Sequence, residues 1–349
     1  MLLQSVLMEF RPRLQSVNVF IILKNDIAQE CRLKFDDDYL QITIDNEEEI
    51  IELDNSFLVS AVSSLVAKRN FISFRSMLQR STMRRFKAEL LSSKLSNLKV
   101  KLNECKLIKE VPYRFFCKKC FKTLGECNFK RILPLPMHSE HNDWYCHASE
   151  DTHINLNPST TDFFYTKTFF HVNSSSFKGT IKGNKILYCN NCDEWLGDYV
   201  NRETSKLWFS TLNIINEDNV IPSDSLSDCF AIIKECFAEL PLTSLKISLN
   251  WQKDDSTVDY LLLWVLEKNL SVHIVGEGKK NVCKVLYRFD DELQDDWVHD
   301  SINQNVAVSK PMFLAIGEHL RKMGEYIPTE FNISNGFYVS YLSLYDYLK

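Results

Sequence analysis

Much of what would announce a function is missing from this 349-residue chain. No Gly-rich phosphate loop, His-Glu-x-x-His or Gly-x-Ser-x-Gly motif occurs, and nothing resembles a dinucleotide-binding fingerprint. No internal repeat or low-complexity tract is visible. The longest apolar run, "YLLLWVL" (260–266), is far too short to cross a bilayer, so no membrane partner is expected. The opening "MLLQSVLMEFRPRLQS" lacks the charged start, apolar centre and small-residue cleavage site of an export signal. Positive charge is not in excess either. The formal net charge of −5 argues against wholesale nucleic-acid binding, and no direct nucleic-acid contact is expected.

What is present is cysteine: eleven, an odd number, in a chain without an export signal. A reducing compartment, cytoplasmic and nuclear, follows as the expected location, and there Cys-x-x-Cys pairs read as metal sites rather than disulfides. Two such pairs occur, "CKKC" (117–120) and "CNNC" (189–192), separated by residues 121–188. A Cys-x-x-Cys turn converges two thiolates on one ion, and two turns supply the four soft ligands of tetrahedral zinc. Each pair is followed by three residues and then Leu-Gly, which suggests equivalent knuckles, each tightened by its glycine. Cys117, Cys120, Cys189 and Cys192 are therefore predicted to share one zinc ion. Cys127 has no partner at metal spacing. Cys31, Cys105, Cys229, Cys236 and Cys283 lie in apolar or strand-like surroundings and read as buried thiols.

Apolar periodicity predicts an α+β fold, mostly antiparallel strands around a zinc-knuckle middle region, with two helices in the C-terminal third. Residues 1–110 read as a β-rich region, 111–215 as the metal-binding region and 216–349 as a mixed α+β region. "SVNVFIILKN", "YLQITIDN", "DFFYTKTFFHV", "LWFSTLNII", "LKISLNW" and "GFYVSYLSL" read as strands. "YLLLWVLEKNLSVHIV" does too, although its start also suits a helix. Ile232, Ile233, Cys236, Phe237 and Leu240 share a helical face, with Ser225 or Ser227 as the cap. Phe313, Ile316, Leu320 and Met323 share another, opened by "SKP" (309–311) and closed before Pro328. The basic stretch 68–87 reads either as a partner-binding surface or as an ordinary solvated face.

Between the pairs lies a polar loop holding His138, His141, His147 and His153 and the sequence "DWYCH" (143–147). Cys146 and His147 are adjacent, and neighbouring side chains make a poor nucleophile–base dyad. The residues leave Cys146 open as a catalytic thiol, a metal ligand, a packing residue or an edge offered to a partner. His147 stays open as a ligand of this protein's metal or a partner's.

"KRILPLP" (130–136), "DWYCH", "CNNCDEWLG", "ETSKLWFSTL", "DYLLLWVLEKNLSVHIV", "CKVLYRF" and "NGFYVSYLSL" together resemble a family of ubiquitin-protein ligases described as HECT-like and as binding ubiquitin-conjugating enzymes. The resemblance implies that the chain accepts ubiquitin from a conjugating enzyme (E2), making it an E3-type transferase with ubiquitin and an E2 as partners. It also implies a link to pre-mRNA 3′-end processing through the metallo-β-lactamase-type endonuclease. An alternative is a non-catalytic, zinc-stabilised scaffold or chaperone for that endonuclease. Leu133, Pro134, Leu135, Pro136, Trp144, Tyr145, Cys146 and His147 would then form the contact surface. A HECT ligase carries its thioester on a cysteine near the C-terminus. Here the last cysteine is Cys283, in strand-like "NVCKVLYRF", so Cys146 is the candidate should a thioester form.

Overall fold

A computed structural model describes residues 2–11, 14, 16–27, 31–36, 39–44, 47–52, 59–78, 107–135, 157–217, 219–239 and 245–343. The described residues are mostly β, with sheets of ten, seven, four and three strands, and nearly all of their pairings are antiparallel. Three α-helices occur among the described residues: Ser225–Glu239, the single turn Asp295–Val298, and Lys310–Gly324.

The centre of the ten-stranded sheet is the strand Val258–Ile274. Residues 258–265 pair with Leu245–Gln252, and residues 271–274 pair with the N-terminal strand Leu3–Arg11. One edge of one long strand thus joins the first and last thirds of the chain. Leu261, Leu262 and Leu263 are all fully buried because both faces of the sheet are covered there. That explains an unbroken apolar run in place of alternation. The helical alternative for its beginning is therefore not realised. In Tyr39–Ile44 only one face is covered, and Leu40, Ile42 and Ile44 alternate inward.

The helix Lys310–Gly324 follows its sequence pattern. Ser309 caps it, accepting from the Met312 amide at 3.3 Å, with Pro311 in the first turn and Phe313, Ile316, Leu320 and Met323 buried. The helix Ser225–Glu239 is capped by neither Ser225 nor Ser227. The Asp224 carboxylate accepts from the Ser227 amide at 2.8 Å, a stronger acceptor one residue earlier. "LWFSTLNII" is also not one strand. A 3₁₀ turn at Phe209–Thr211 breaks it, sending Thr204–Trp208 into the seven-stranded sheet and Leu212–Asn216 into the four-stranded one. Part of the basic stretch, Phe71–Leu78, is a sheet strand with Ile72 and Phe74 in the core, and residues 79–87 lie outside the described residues.

The seven- and four-stranded sheets enclose an aromatic core. Phe163 stacks on Phe170 at 4.6 Å, and Phe115 meets Phe177 at 5.0 Å. Two strands that end at this core, Pro112–Cys117 and Ile186–Cys189, belong to different sheets and deliver the two cysteine pairs.

Candidate metal centre

Each pair sits in the same short turn. The Cys117 amide donates to the Lys122 carbonyl at 2.9 Å, and the Phe121 amide returns a bond to the Cys117 carbonyl at 2.9 Å. In the second turn Cys189 donates to Glu194 at 2.9 Å, and Asp193 donates to Cys189 at 3.0 Å. The residue after the second cysteine has positive φ in both: Phe121 at 60° and Asp193 at 52°. The left-handed residue closes the turn, so the Leu-Gly glycines have a different task. A Cβ at Gly197 would lie 2.0 Å from the Lys206 carbonyl oxygen, and one at Gly125 would lie 2.6 Å from that of Ser176. They permit close approach of neighbouring backbone, a strand at Gly197 and a 3₁₀ turn at Gly125, and leave the knuckles to Phe121 and Asp193.

The turns face each other and bring all four sulfurs within 4.8 Å of one another. Cys117 Sγ lies 3.7 Å from Cys192 Sγ, and Cys120 Sγ lies 3.6 Å from Cys189 Sγ. A disulfide would hold two sulfurs about 2.05 Å apart. An ion about 2.3 Å from four tetrahedral sulfurs sets edges of about 3.8 Å, so these residues fit a metal centre. The amide two residues on supports the second sulfur of each turn. The Lys122 amide, outweighing desolvation, brings Cys120 down to about 6, while burial outweighs the Glu194 amide and pushes Cys192 up to about 12.

Ion pairs fasten the centre to its surroundings. Glu194 receives Lys119 from the opposite turn at 2.7 Å and Lys310 from the C-terminal helix at 3.0 Å. Lys118 reaches the Ser223 carbonyl at 3.2 Å, just ahead of the other long helix. Sequence reasoning did not find Phe121, Asp193 or Glu194. The one signal available was their matching place after each pair.

The other cysteines are dispersed. Cys127 is buried outside the four-sulfur cluster, and burial pushes its thiol up to about 11. Cys229, Cys236 and Cys283 are buried, and Cys31 is half-buried. Cys283 donates to the Lys268 carbonyl at 3.0 Å from inside the ten-stranded sheet. Leu133 and Pro134 are exposed on the edge strand Arg131–Pro134, and the Leu135 amide donates to the Tyr165 carbonyl at 2.7 Å. Cys105, Pro136, His138, His141, Trp144, Tyr145, Cys146, His147 and His153 lie outside the described residues.

No solved structure matches the chain. It is similar to an E3 ubiquitin-protein ligase of Mus musculus, 25% identical over 261 residues, covering 66% of this chain and 71% of that protein. The Rattus norvegicus protein of the same name is 29% identical over 161 residues, covering 44% and 43%. The Bos taurus protein is 23% identical over 282 residues, covering 66% and 72%. Residues 9–339 match the family described as "HECT-like Ubiquitin-conjugating enzyme (E2)-binding", and with that span matched the chain belongs to this family.

Proposed function

We propose that this protein is a zinc-stapled scaffold that binds a ubiquitin-conjugating enzyme and promotes ubiquitin transfer from it without a thioester on Cys283. Family membership supports E2 binding. The burial of Cys283 carries the mechanistic part. Its sulfur is fully enclosed, it is committed to the Lys268 carbonyl, and burial pushes its pKa well above the ordinary thiol range. A neutral, enclosed thiol cannot attack the thioester of a charged E2. Zinc suits the four-sulfur cluster because an all-thiolate tetrahedron is a structural zinc site with no open position. The ion would hold Cys117, Cys120, Cys189 and Cys192 and supply stability rather than chemistry. Cys146 is the remaining thioester candidate.

The second reading, a scaffold for the 3′-end endonuclease, is favoured by the edge strand. Leu133 and Pro134 are exposed there on the chain segment that leads toward "DWYCH". An exposed edge strand is a natural place for a partner to dock. A role in 3′-end processing rests on the resemblance alone, and the cytoplasmic and nuclear location is the expectation set by the cysteine usage.

The test is titration of the full chain against a panel of ubiquitin-conjugating enzymes, followed by single-turnover discharge of E2-bound ubiquitin. The full chain is expected to bind at least one E2 and speed discharge, with Cys283→Ala retaining both. Binding to none of the panel removes the E2 reading. Loss of discharge in a folded Cys283→Ala protein removes the mechanism.

A further inference from the structure

The two metal turns share a backbone but not a side chain at their left-handed position. Asp193 suits that position, because a short polar side chain tolerates positive φ. Phe121 does not suit it. A bulky aromatic there is an outlier, and the residue is 69% exposed, so core packing does not offset the cost. The hydrogen bond closing the turn comes from the Phe121 backbone, as the matching bond comes from Asp193, and any residue with an N–H supplies it. The metal centre therefore explains the backbone at 121 but not the phenyl ring. Strained residues that packing does not explain concentrate at functional positions.

The surroundings indicate what the ring meets. Lys118, Lys119, Lys122 and Thr123 are exposed beside it, and no acidic residue occurs between Cys117 and Leu124. Lys118 and Lys119 are tied to Ser223 and Glu194, which holds the base of the turn in place. An aromatic anchor on a rigid turn loses little freedom on docking. Its lysine rim complements an apolar recess edged by carboxylates.

Building on the E2-binding reading, we infer that the Phe121 turn is a docking element for the ubiquitin-conjugating enzyme. Phe121 enters an apolar recess on the E2, and Lys122 faces its acidic rim.

The experiment compares the full chain with Phe121→Asn and Lys122→Glu against the same E2 panel by calorimetry, with metal content and melting temperature measured for each. Asparagine keeps the left-handed turn and removes the ring. Phe121→Asn is expected to retain its metal, melt no lower than the parent and bind the E2 at least tenfold more weakly. Lys122→Glu is expected to bind more weakly as well, with the largest loss at low salt. If the parent binds an E2 and Phe121→Asn binds equally well, the docking inference is overturned while the E2 reading stands. A Phe121→Asn protein that loses metal or melts lower makes the ring structural and also overturns it. If the parent binds no E2, both readings fall together.

Discussion

The Lys284 ammonium donates to the Glu9 carboxylate at 2.7 Å, linking two residues that lie 275 positions apart in the chain. Glu9 is fully buried, and each of its oxygens has two partners. Oε1 accepts from Arg11 at 2.6 Å and Asn18 at 2.9 Å, and Oε2 accepts from Lys284 and from the Tyr341 hydroxyl at 2.7 Å. Desolvation pushes the Glu9 pKa up. The charges of Lys284 and Arg11 and the bonds from Lys284 and Tyr341 outweigh it and hold the value at about 2, below the ordinary 4.5. Glu9→Gln leaves Lys284 half of a broken buried pair and is expected to cost about 3 kcal/mol at pH 7.

That cost has a predictable pH dependence. The folded pKa is lowered, so ionised Glu9 stabilises fully above 4.5, and its contribution is lost as pH falls toward about 2. The urea midpoints of the parent and Glu9→Gln proteins should converge on acidification. More than half of the gap at pH 7 should be gone near pH 3, by the roughly 1.4 kcal/mol per pKa unit of linkage. An equal gap at both values would mean that the carboxylate charge is not what holds the strands together.

Removing the metal should destabilise the whole middle of the chain, because the cluster joins strands of two different sheets. Cys189→Ser is expected to drop metal content from one equivalent to none by elemental analysis. It should lower the melting temperature by about 10 °C or more, since structural zinc contributes several kcal/mol or more of folding energy. A chelator should act in the same direction on the parent and do nothing further to the variant. Cys127→Ser, outside the cluster, should keep its metal.

Gly197→Ala separates the two roles considered for the Leu-Gly glycines. The added Cβ would collide with the Lys206 carbonyl at 2.0 Å, where the neighbour is backbone and cannot rotate away. The expected cost is about 3 kcal/mol, in the overpacking range, with metal stoichiometry preserved in the folded fraction. Loss of metal without loss of stability would instead return the glycine to the knuckle.

The clustering of Cys117, Cys120, Cys189 and Cys192 was legible because its chemistry is local: a thiolate pair needs only its own turn to converge on an ion. The helix Lys310–Gly324 was legible for a related reason, since Ser309, Pro311 and the apolar face all lie within its own segment. The Asp224 cap was harder, because "SDSLS" offers several acceptors within five residues and only the backbone decides among them. Glu9 was not legible. In "LMEFR" it reads as an ordinary strand residue, and its partners Lys284 and Tyr341 are brought to it by successive pairings, Leu3–Arg11 with Val258–Ile274, that strand with Gly278–Asp290, and the last with Phe337–Leu342. Phe121 was hidden because its sequence position calls for Asn, Asp or Gly, and nothing in the residue itself reports a positive φ.

Thiol accessibility gives a last test that bears on mechanism without any partner present. Cys229 and Cys283 are fully enclosed, and desolvation pushes both thiols well above their ordinary range, so neither is a nucleophile in the folded protein. Brief alkylation with iodoacetamide at pH 8, read by peptide mass spectrometry, should leave both unmodified in the native protein and label both in urea. Native labelling of Cys283 at a rate near that of a free thiol would show that its strand opens readily, and the argument against a thioester there would fail. If both stay protected while E2-bound ubiquitin is still discharged, transfer proceeds without Cys283, either directly from the E2 or through another thiol, for which Cys146 is the residue to replace next.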